Sequence, residues 1–536
     1  MIDFKRFSVW QFFLVIMSLP TALALVGVLT SWFNLDEALL SHLFQYVLPS
    51  ALFNTVSLVI VVVMMTALIG VTSAWLTTIC DFPGRRFFVW SLILPMAIPG
   101  YVMAFALVGA LEYTGSLQTY ARDSLGILAI FPEIKSFFGV ALTLSLTLYP
   151  YTYLLVRNAF QTQGKRSLEV GQSLGLSARQ SFFRVSLPLA RPWIVGGSLL
   201  VIMETLADFG TVAVFNYDTL TSAIYKSWFS LFSFQSALQI ASLLLMFVVV
   251  VSLLERQSRA KQNFSYQRGE TEPSSRIVLS RVQGYLACLF CGCIFSIGFI
   301  LPIGQLLAWA IPQLSLELTD QFWRYVIGSL SLSLLAMTII TGLALLLAFA
   351  ARTEKGRLVN WAVRISTLGY ALPGTVLAVG LLAPIAAIDH FLADIGFATP
   401  ILQGSIVVML LAYSVRFMAV AFSPIESNLL RVTPSIDSAS RSLAVSGLGM
   451  LRRVHFPIIR VGVLTAMVLV FVDVMKELPI TLMTRPFGFN TLAVRIYELS
   501  SEGLWQRAAL PALAVVLVGL IPVIILMLRA DKGQQS

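Results

Sequence analysis

The sequence predicts an all-α membrane protein, with about 12 transmembrane helices in two parallel six-helix repeats. Three observations carry that expectation. First, 58% of the 536 residues are hydrophobic, only 12% are charged and the mean hydropathy is +0.86, which leaves too few polar side chains to clothe a soluble globule. Second, apolar stretches near the ~20 residues that span a bilayer fall at 9–31, 54–79, 87–111, 137–156, 193–215, 236–254, 284–312, 326–350, 358–388, 401–423, 461–483 and 508–528. Third, residues 54–109 align without gaps with 328–383 at an offset of 274. Corresponding elements lie six spans apart, an even number, so the halves share one orientation, unlike inverted repeats.

Taken in order, Lys5 and Arg6 precede the first apolar run, and Ala22-Leu23-Ala24 inside it mimics a cleavable leader. The run nevertheless continues to Phe33, and without it the first half would lack a counterpart to 284–312. An uncleaved first helix is expected. With a cytoplasmic N-terminus, 28 of the 36 Lys and Arg fall near inner ends of spans, Arg416 among them, satisfying the positive-inside rule. Both termini are then cytoplasmic, and the outer loops hold Asp36, Glu37, Asp123, Asp389 and Asp394. The net charge of +10 is spread over short inner loops facing anionic membrane lipid, which argues against a nucleic-acid partner. Of the four cysteines, Cys80 lies near an inner loop and Cys288, Cys291 and Cys293 share one apolar span. Lacking a His or an acid nearby, they read as small packing residues rather than a metal site.

In each half a Pro-Gly pair, Pro99-Gly100 and Pro373-Gly374, falls inside a span. There it must loosen the backbone ladder, which is tolerated only against protein or a water-lined cavity. Residues 1–254 form the first repeat, 255–283 a cytoplasmic linker rich in Arg, Lys, Gln, Ser and Glu with Pro273, and 284–536 the second repeat. The segment 485–507, with Arg485, Pro486, Arg495, Glu498 and Glu502, is too polar to span and is placed on or dipping into the outer face.

Two polar inner stretches interrupt the apolar pattern at corresponding places, Glu169 to Pro188 and Ser438 to Pro457, offset by 269. In the first, Leu174, Leu176, Phe182 and Phe183 interleave with Gln180 and Arg184. That suits two short amphipathic helices at the membrane surface, with Gly175 allowing a turn between them and Pro188 ending the segment before the next span. No G-x-x-x-x-G-K-[ST] loop occurs; Gly164-Lys165 lacks both the earlier glycine and the following hydroxyl. Any ATP hydrolysis therefore belongs to another polypeptide.

Just beyond each polar stretch lie two carboxylates within an apolar span, Glu204 and Asp208, then Asp473 and Glu477, each pair at i, i+4 and hence expected on one helix face. Each costs roughly 2.5–3.5 kcal/mol near mid-bilayer unless it meets water or a partner. Lys476 offers one such partner. Helix-to-helix pairing and a water-filled path both remain open, and oxygen ligands on such a path suit a hard cation. His42, His390 and His455 are too scattered to form a catalytic site. A secondary transporter driven by an ion gradient stays a rival, although it leaves the two polar stretches unexplained.

The first polar stretch resembles the EAA loop of ATP-binding-cassette importer permeases. Glu169 and Gly175 match that motif, Gly171 stands as a small residue at its second Ala, and Val185, Leu187 and Pro188 fit its Ile-x-Leu-Pro end. The second copy departs further, with Ser438 for the Glu and Ala444 for the Gly, while Ala439 and Pro457 fit. Glu204 to Thr211 and Val472 to Thr481, with Thr219-Leu220 to Tyr225 and Thr491-Leu492 to Tyr497, look like the fused permeases for ferric iron. Thiamine permeases are similar in architecture. The resemblance implies the type I importer permease fold and a non-enzymatic subunit in a bacterial inner membrane. It also implies a periplasmic binding protein that delivers the solute, and two ATPase subunits, carrying ATP and Mg, docked under the Glu169 and Ser438 loops. The four carboxylates then form a transient ladder for ferric iron, with no stable metal and no cofactor in this chain.

Overall fold

The computed structural model describes residues 8–33, 41–126, 133–164, 169, 171, 173–260, 276–397 and 400–535. Lys5, Arg6, Asp36, Glu37, Lys165 and Pro273, named above, lie outside them. Among the described residues eleven helices are long and apolar enough to cross a membrane. A twelfth span is broken, Arg85–Ala97 meeting Gly100–Ser124 at a bend of 97°. The twelve expected spans are thus all present as helical segments.

Two compact units form, and they are not the two halves of the sequence. One gathers residues 1–43, 223–245 and 318–495; the other gathers 44–222, 246–317 and 496–536. Each unit therefore holds the second to fifth spans of one half together with the first span of the other half. Repeats and packing units are different divisions of the chain.

In the unit built on residues 318–495, helix Val9–Thr30 packs on helix Gly374–Asp394. A Cβ on Gly27 would come within 2.5 Å of the Gly380 carbonyl oxygen, and one on Gly380 within 2.7 Å of that of Ala24. Only glycine at both places lets the backbones approach this closely, the small-residue packing on which membrane helices rely. Ser8 and Gln11 close a capping box on the first helix, and Trp10 meets the edge of Phe349 at 5.0 Å. Trp32 Nε1 donates to Ser242 Oγ at 2.8 Å and ties the chain start to residues 223–245.

In the unit built on residues 44–222, helix Arg281–Phe295 enters the inner core. Ala287, Cys291 and Ile294 pack among Phe88, Leu92, Tyr149, Tyr153 and Val156. Cys291 is buried in that core, whereas Cys293 on the same helix is exposed. Tyr149 and Tyr153 give their buried hydroxyls to the Leu92 and Val89 carbonyls at 2.7 and 3.1 Å. These carbonyls lie where the broken span leaves its helical ladder, so the phenols supply the missing donors. Residues 261–275 of the expected linker lie outside the described residues. Its end is bound structure: Ile277–Val278 pairs in parallel with Cys80–Asp81, and Ser280 caps the helix from Arg281.

Three expectations are corrected. Pro188 and Pro457 do not end the polar stretches, because a wide π turn, Phe182–Ser186 and Leu451–His455, precedes each and the helix runs on. The wider turn accommodates the missing proline N–H and the ring's bulk. Arg416, counted among the cations near inner span ends, sits well within helix Ile406–Leu429 and is 9% exposed. Finally, the i, i+4 acids do not share a continuous helix face. Helix Leu187–Ala207 stops before Asp208 and helix Phe456–Lys476 before Glu477, both of which take extended backbone angles.

Candidate functional site

Each unit builds the same small constellation where two helix breaks meet. In the unit built on residues 44–222, a 3-10 turn at Leu94–Ala97 leads to Pro99, whose φ −58 and ψ 145 start a new helix at Gly100. Against it comes the break after Ala207. Asp208 turns back to cap the short helix Gly210–Val214, accepting from Thr211 Oγ1 at 2.8 Å and from the Val212 N–H at 3.1 Å. Asp208 lies one residue before the N-cap, Phe209, and satisfies a free N–H of the first turn as a capping side chain does. A Cβ on Gly100 would fall 2.5 Å from Thr211 Oγ1 and 3.3 Å from Asp208 Oδ2. Glycine here allows the two breaks to touch.

Thr221 Oγ1 donates to the Asp208 carbonyl at 2.6 Å, and Thr55 Oγ1 accepts the Leu220 N–H at 3.0 Å. Thr221, itself hydrogen-bonded to Thr219, therefore holds the main chain at the acid. No cation lies within 4 Å of Asp208 among the described residues. Glu204 sits one turn back on helix Leu187–Ala207 and is half-buried.

The unit built on residues 318–495 repeats the plan with different charge. Pro373, at φ −56 and ψ 143, starts helix Gly374–Asp394, and Glu477 faces the start of helix Pro479–Thr484, accepting the Ile480 N–H at 3.3 Å. Thr481 Oγ1 donates to the Glu477 carbonyl at 2.7 Å, and the Leu492 N–H donates to Ser329 Oγ at 2.7 Å. Here, however, Arg416 Nε lies 3.4 Å from Glu477 Oε2, while its Nη1 donates to the Leu372 carbonyl at 2.7 Å. One guanidinium thus pairs the acid and also satisfies a carbonyl freed at the Pro373 break. Asp473 is held by Lys476 at 2.9 Å.

Sequence reasoning located the four acids and both Pro-Gly pairs but missed Arg416 as the partner of Glu477. Its signal was present: an arginine inside an apolar stretch is as costly as a carboxylate and calls for a counter-ion.

The two polar loops fold alike. In the second, helix Pro434–Ser442 carries exposed Ser438 and Ala439, Ala444 takes the left-handed φ of +58, and helix Gly447–Met450 follows. In the first, Glu169 and Gly171 are helical and Gly175 takes φ +82. The Leu176 N–H reaches the Gly171 carbonyl at 3.0 Å, and the Val445 N–H reaches that of Ser440 at 2.9 Å. These are the same helix-closing bond at the 269 offset. Ala444 therefore makes the turn expected of Gly175, despite its Cβ.

Beneath the second loop Asp437 accepts from Arg352 Nε at 3.0 Å and Nη2 at 2.8 Å, and lies 2.8 Å from His455 Nε2. Arg352 also donates to the Leu429 and Val432 carbonyls. Burial pushes the Asp437 carboxyl up, but His455 and Arg352 pull harder and hold it below the ordinary range.

With this geometry in hand, comparison with known proteins is informative. Residues 69–261 match the binding-protein-dependent transport system inner membrane component. The chain is 27% identical over 494 residues to the Fe(3+)-transport system permease protein FbpB 2 of Haemophilus influenzae, covering 91% of this chain and 92% of that protein. It is 22% identical over 405 residues to the ferric transport system permease protein FbpB of Actinobacillus pleuropneumoniae, covering 72% and 57%. A shorter relative is the molybdenum transport system permease protein ModB of Escherichia coli K12, 27% identical over 162 residues, covering 29% of this chain and 69% of the relative. The chain is thus similar over nine-tenths of its length to the permease of an Fe(3+)-transport system, and its described residues hold eleven helices, with one broken span besides, that are long and apolar enough to cross a membrane.

Proposed function

We propose that the cargo is ferric iron, passed along a path whose ligands are Glu204, Asp208, Asp473 and Glu477. The observation that supports this most is Asp208: a carboxylate at the end of an apolar helix, its oxygens held by Thr211 and Val212 and its main-chain carbonyl by Thr221, with no cation beside it among the described residues. An uncompensated carboxylate there favours a hard cation and repels an oxyanion such as molybdate. The relative matching over nine-tenths of both chains carries Fe(3+) transport in its name, whereas the molybdenum relative matches a much shorter stretch.

In this reading the path acids bind weakly and in turn, so that iron leaves as readily as it enters. Arg416 and Lys476 moderate the affinity of Glu477 and Asp473. Two ATPase copies grip the Glu169–Gly175 and Ser438–Ala444 loops, with ATP and Mg on those partners, and both termini face the cytoplasm. The closed turns at Gly175 and Ala444 are rigid handles through which closure of an ATPase reaches the helix running on from each loop. Replacing Glu204 and Asp473 together by Ala tests the path: uptake of ferric iron should be lost while the assembled complex is recovered intact. Uptake at the unchanged rate refutes it.

A further inference from the structure

Away from the acids, the unit built on residues 44–222 has a cavity of about 390 Å³ lined by Thr78, Arg85, Arg86, Trp90, Arg157 and Arg276 among others. We infer that this cavity is a phosphate-binding site that joins the end of the inter-repeat linker to the first repeat.

Four guanidinium groups line one space, and among the described residues a single carboxylate answers them, Asp81 at 3.6 Å from Arg85 Nε. Arg276, Arg86 and Arg157 all act repulsively on Arg85. Arg157 is only 8% exposed, stacks on Trp90 with 5.3 Å from its guanidinium carbon to the ring centroid, and has no carboxylate partner among the described residues. A buried cation without an anion is costly. Two buried polar atoms at the cavity, Arg85 Nε and Thr78 Oγ1, also lack hydrogen-bond partners. Arg85 does not spend its whole fork on the described protein, since Nη1 donates to the Thr77 carbonyl at 2.8 Å and Nε faces Asp81, which leaves Nη2.

Planar guanidinium forks with a hydroxyl beside them are the donor set that recognises a phosphate group, which carries enough charge and enough acceptor oxygens to answer several at once. A general positive-inside excess explains basic loops. It does not explain a buried, stacked arginine that lines one cavity with three others. Arg276 directly precedes Ile277–Val278, the pair of residues that hydrogen-bonds in parallel with Cys80–Asp81. A phosphate bridging Arg276 to Arg85 and Arg157 fastens that junction.

The phosphate can come from solution or from an anionic lipid headgroup, and the test separates the two. Full-length protein with its ATPase partner is held in dodecyl maltoside, a detergent without phosphate, and trypsin cleavage after Arg276 is timed. Inorganic phosphate is added against chloride at matched ionic strength, or phosphatidylglycerol is added in mixed micelles. Protection follows occupancy, so cleavage should slow about 10-fold at a ligand concentration ~10 times its Kd. Slowing by phosphate assigns a soluble ligand, and slowing by phosphatidylglycerol alone assigns a headgroup. Because trypsin needs Arg276, the variants are Arg86→Gln and Arg157→Gln, each of which should lose the protection with the thermal unfolding of the ligand-free protein retained for Arg86→Gln. Unchanged cleavage with both additives, or full protection in both variants, overturns the proposal.

Discussion

A Cβ on Gly374 would stand 2.9 Å from Glu477 Oε1 and 2.9 Å from Pro479 Cγ, so the break in one span rests directly on the acid at the end of another. Gly100 stands in the same relation to Asp208 and Thr211. Gly374→Ala and Gly100→Ala should each force the two breaks apart at a cost of about 1–3 kcal/mol, the usual range for overpacking. Uptake should fall more steeply than thermal stability if, as proposed, the displaced group is a path carboxylate. Wild-type uptake in both variants would show that the contact is incidental.

Arg416 answers both Glu477 and the Leu372 carbonyl. Arg416→Met should cost about 3–5 kcal/mol, since it strands a carboxylate that is 8% exposed. Adding Glu477→Gln should return most of that loss. A double-mutant cycle on thermal unfolding reads the coupling directly, and additive losses would mean that the pair is not linked.

Ala444 holds a left-handed backbone with φ +58 that its Cβ disfavours, where the other loop has Gly175. Ala444→Gly should therefore stabilise the protein by about 1 kcal/mol, and Gly175→Ala should destabilise it by a similar amount. Chemical denaturation of the two variants checks the pair of opposite signs.

Asp437 has its carboxyl held below the ordinary range, so the stabilisation it gives through Arg352 and His455 is fully present above the unfolded carboxylate value of about 3.9 and is lost as pH falls through the lower folded value. Wild type should be more stable than Asp437→Asn near neutrality, with the gap closing below about pH 4. A gap independent of pH across that interval would assign the anchor to shape rather than charge.

Much of this was legible in the chain because it is written locally. The spans follow from apolar runs, the breaks from Pro99-Gly100 and Pro373-Gly374, and the turn of the first loop from Gly175, whereas the matching turn at Ala444 was not legible. Where the first spans pack was not legible: Val9–Thr30 joins residues 318–495, guided by Gly27 meeting Gly380, a contact between glycines far apart in sequence. The ends of the acid-bearing helices were misjudged for a physical reason. A spacing of four suggests one face only while the helix continues, and Asp208 and Glu477 instead engage the N–H groups of the next short helix. Pro188 and Pro457 look like stops, yet a π turn carries the helix past each.

The most direct measurement is ATP hydrolysis by the reconstituted complex with its binding protein, compared for ferric iron, thiamine and molybdate, in wild type and in Asp208→Asn. Ferric iron alone should stimulate hydrolysis in wild type, and iron uptake should be lost in the variant. Equal stimulation by molybdate or thiamine, or iron uptake undiminished in Asp208→Asn, would contradict a cation path built on these carboxylates.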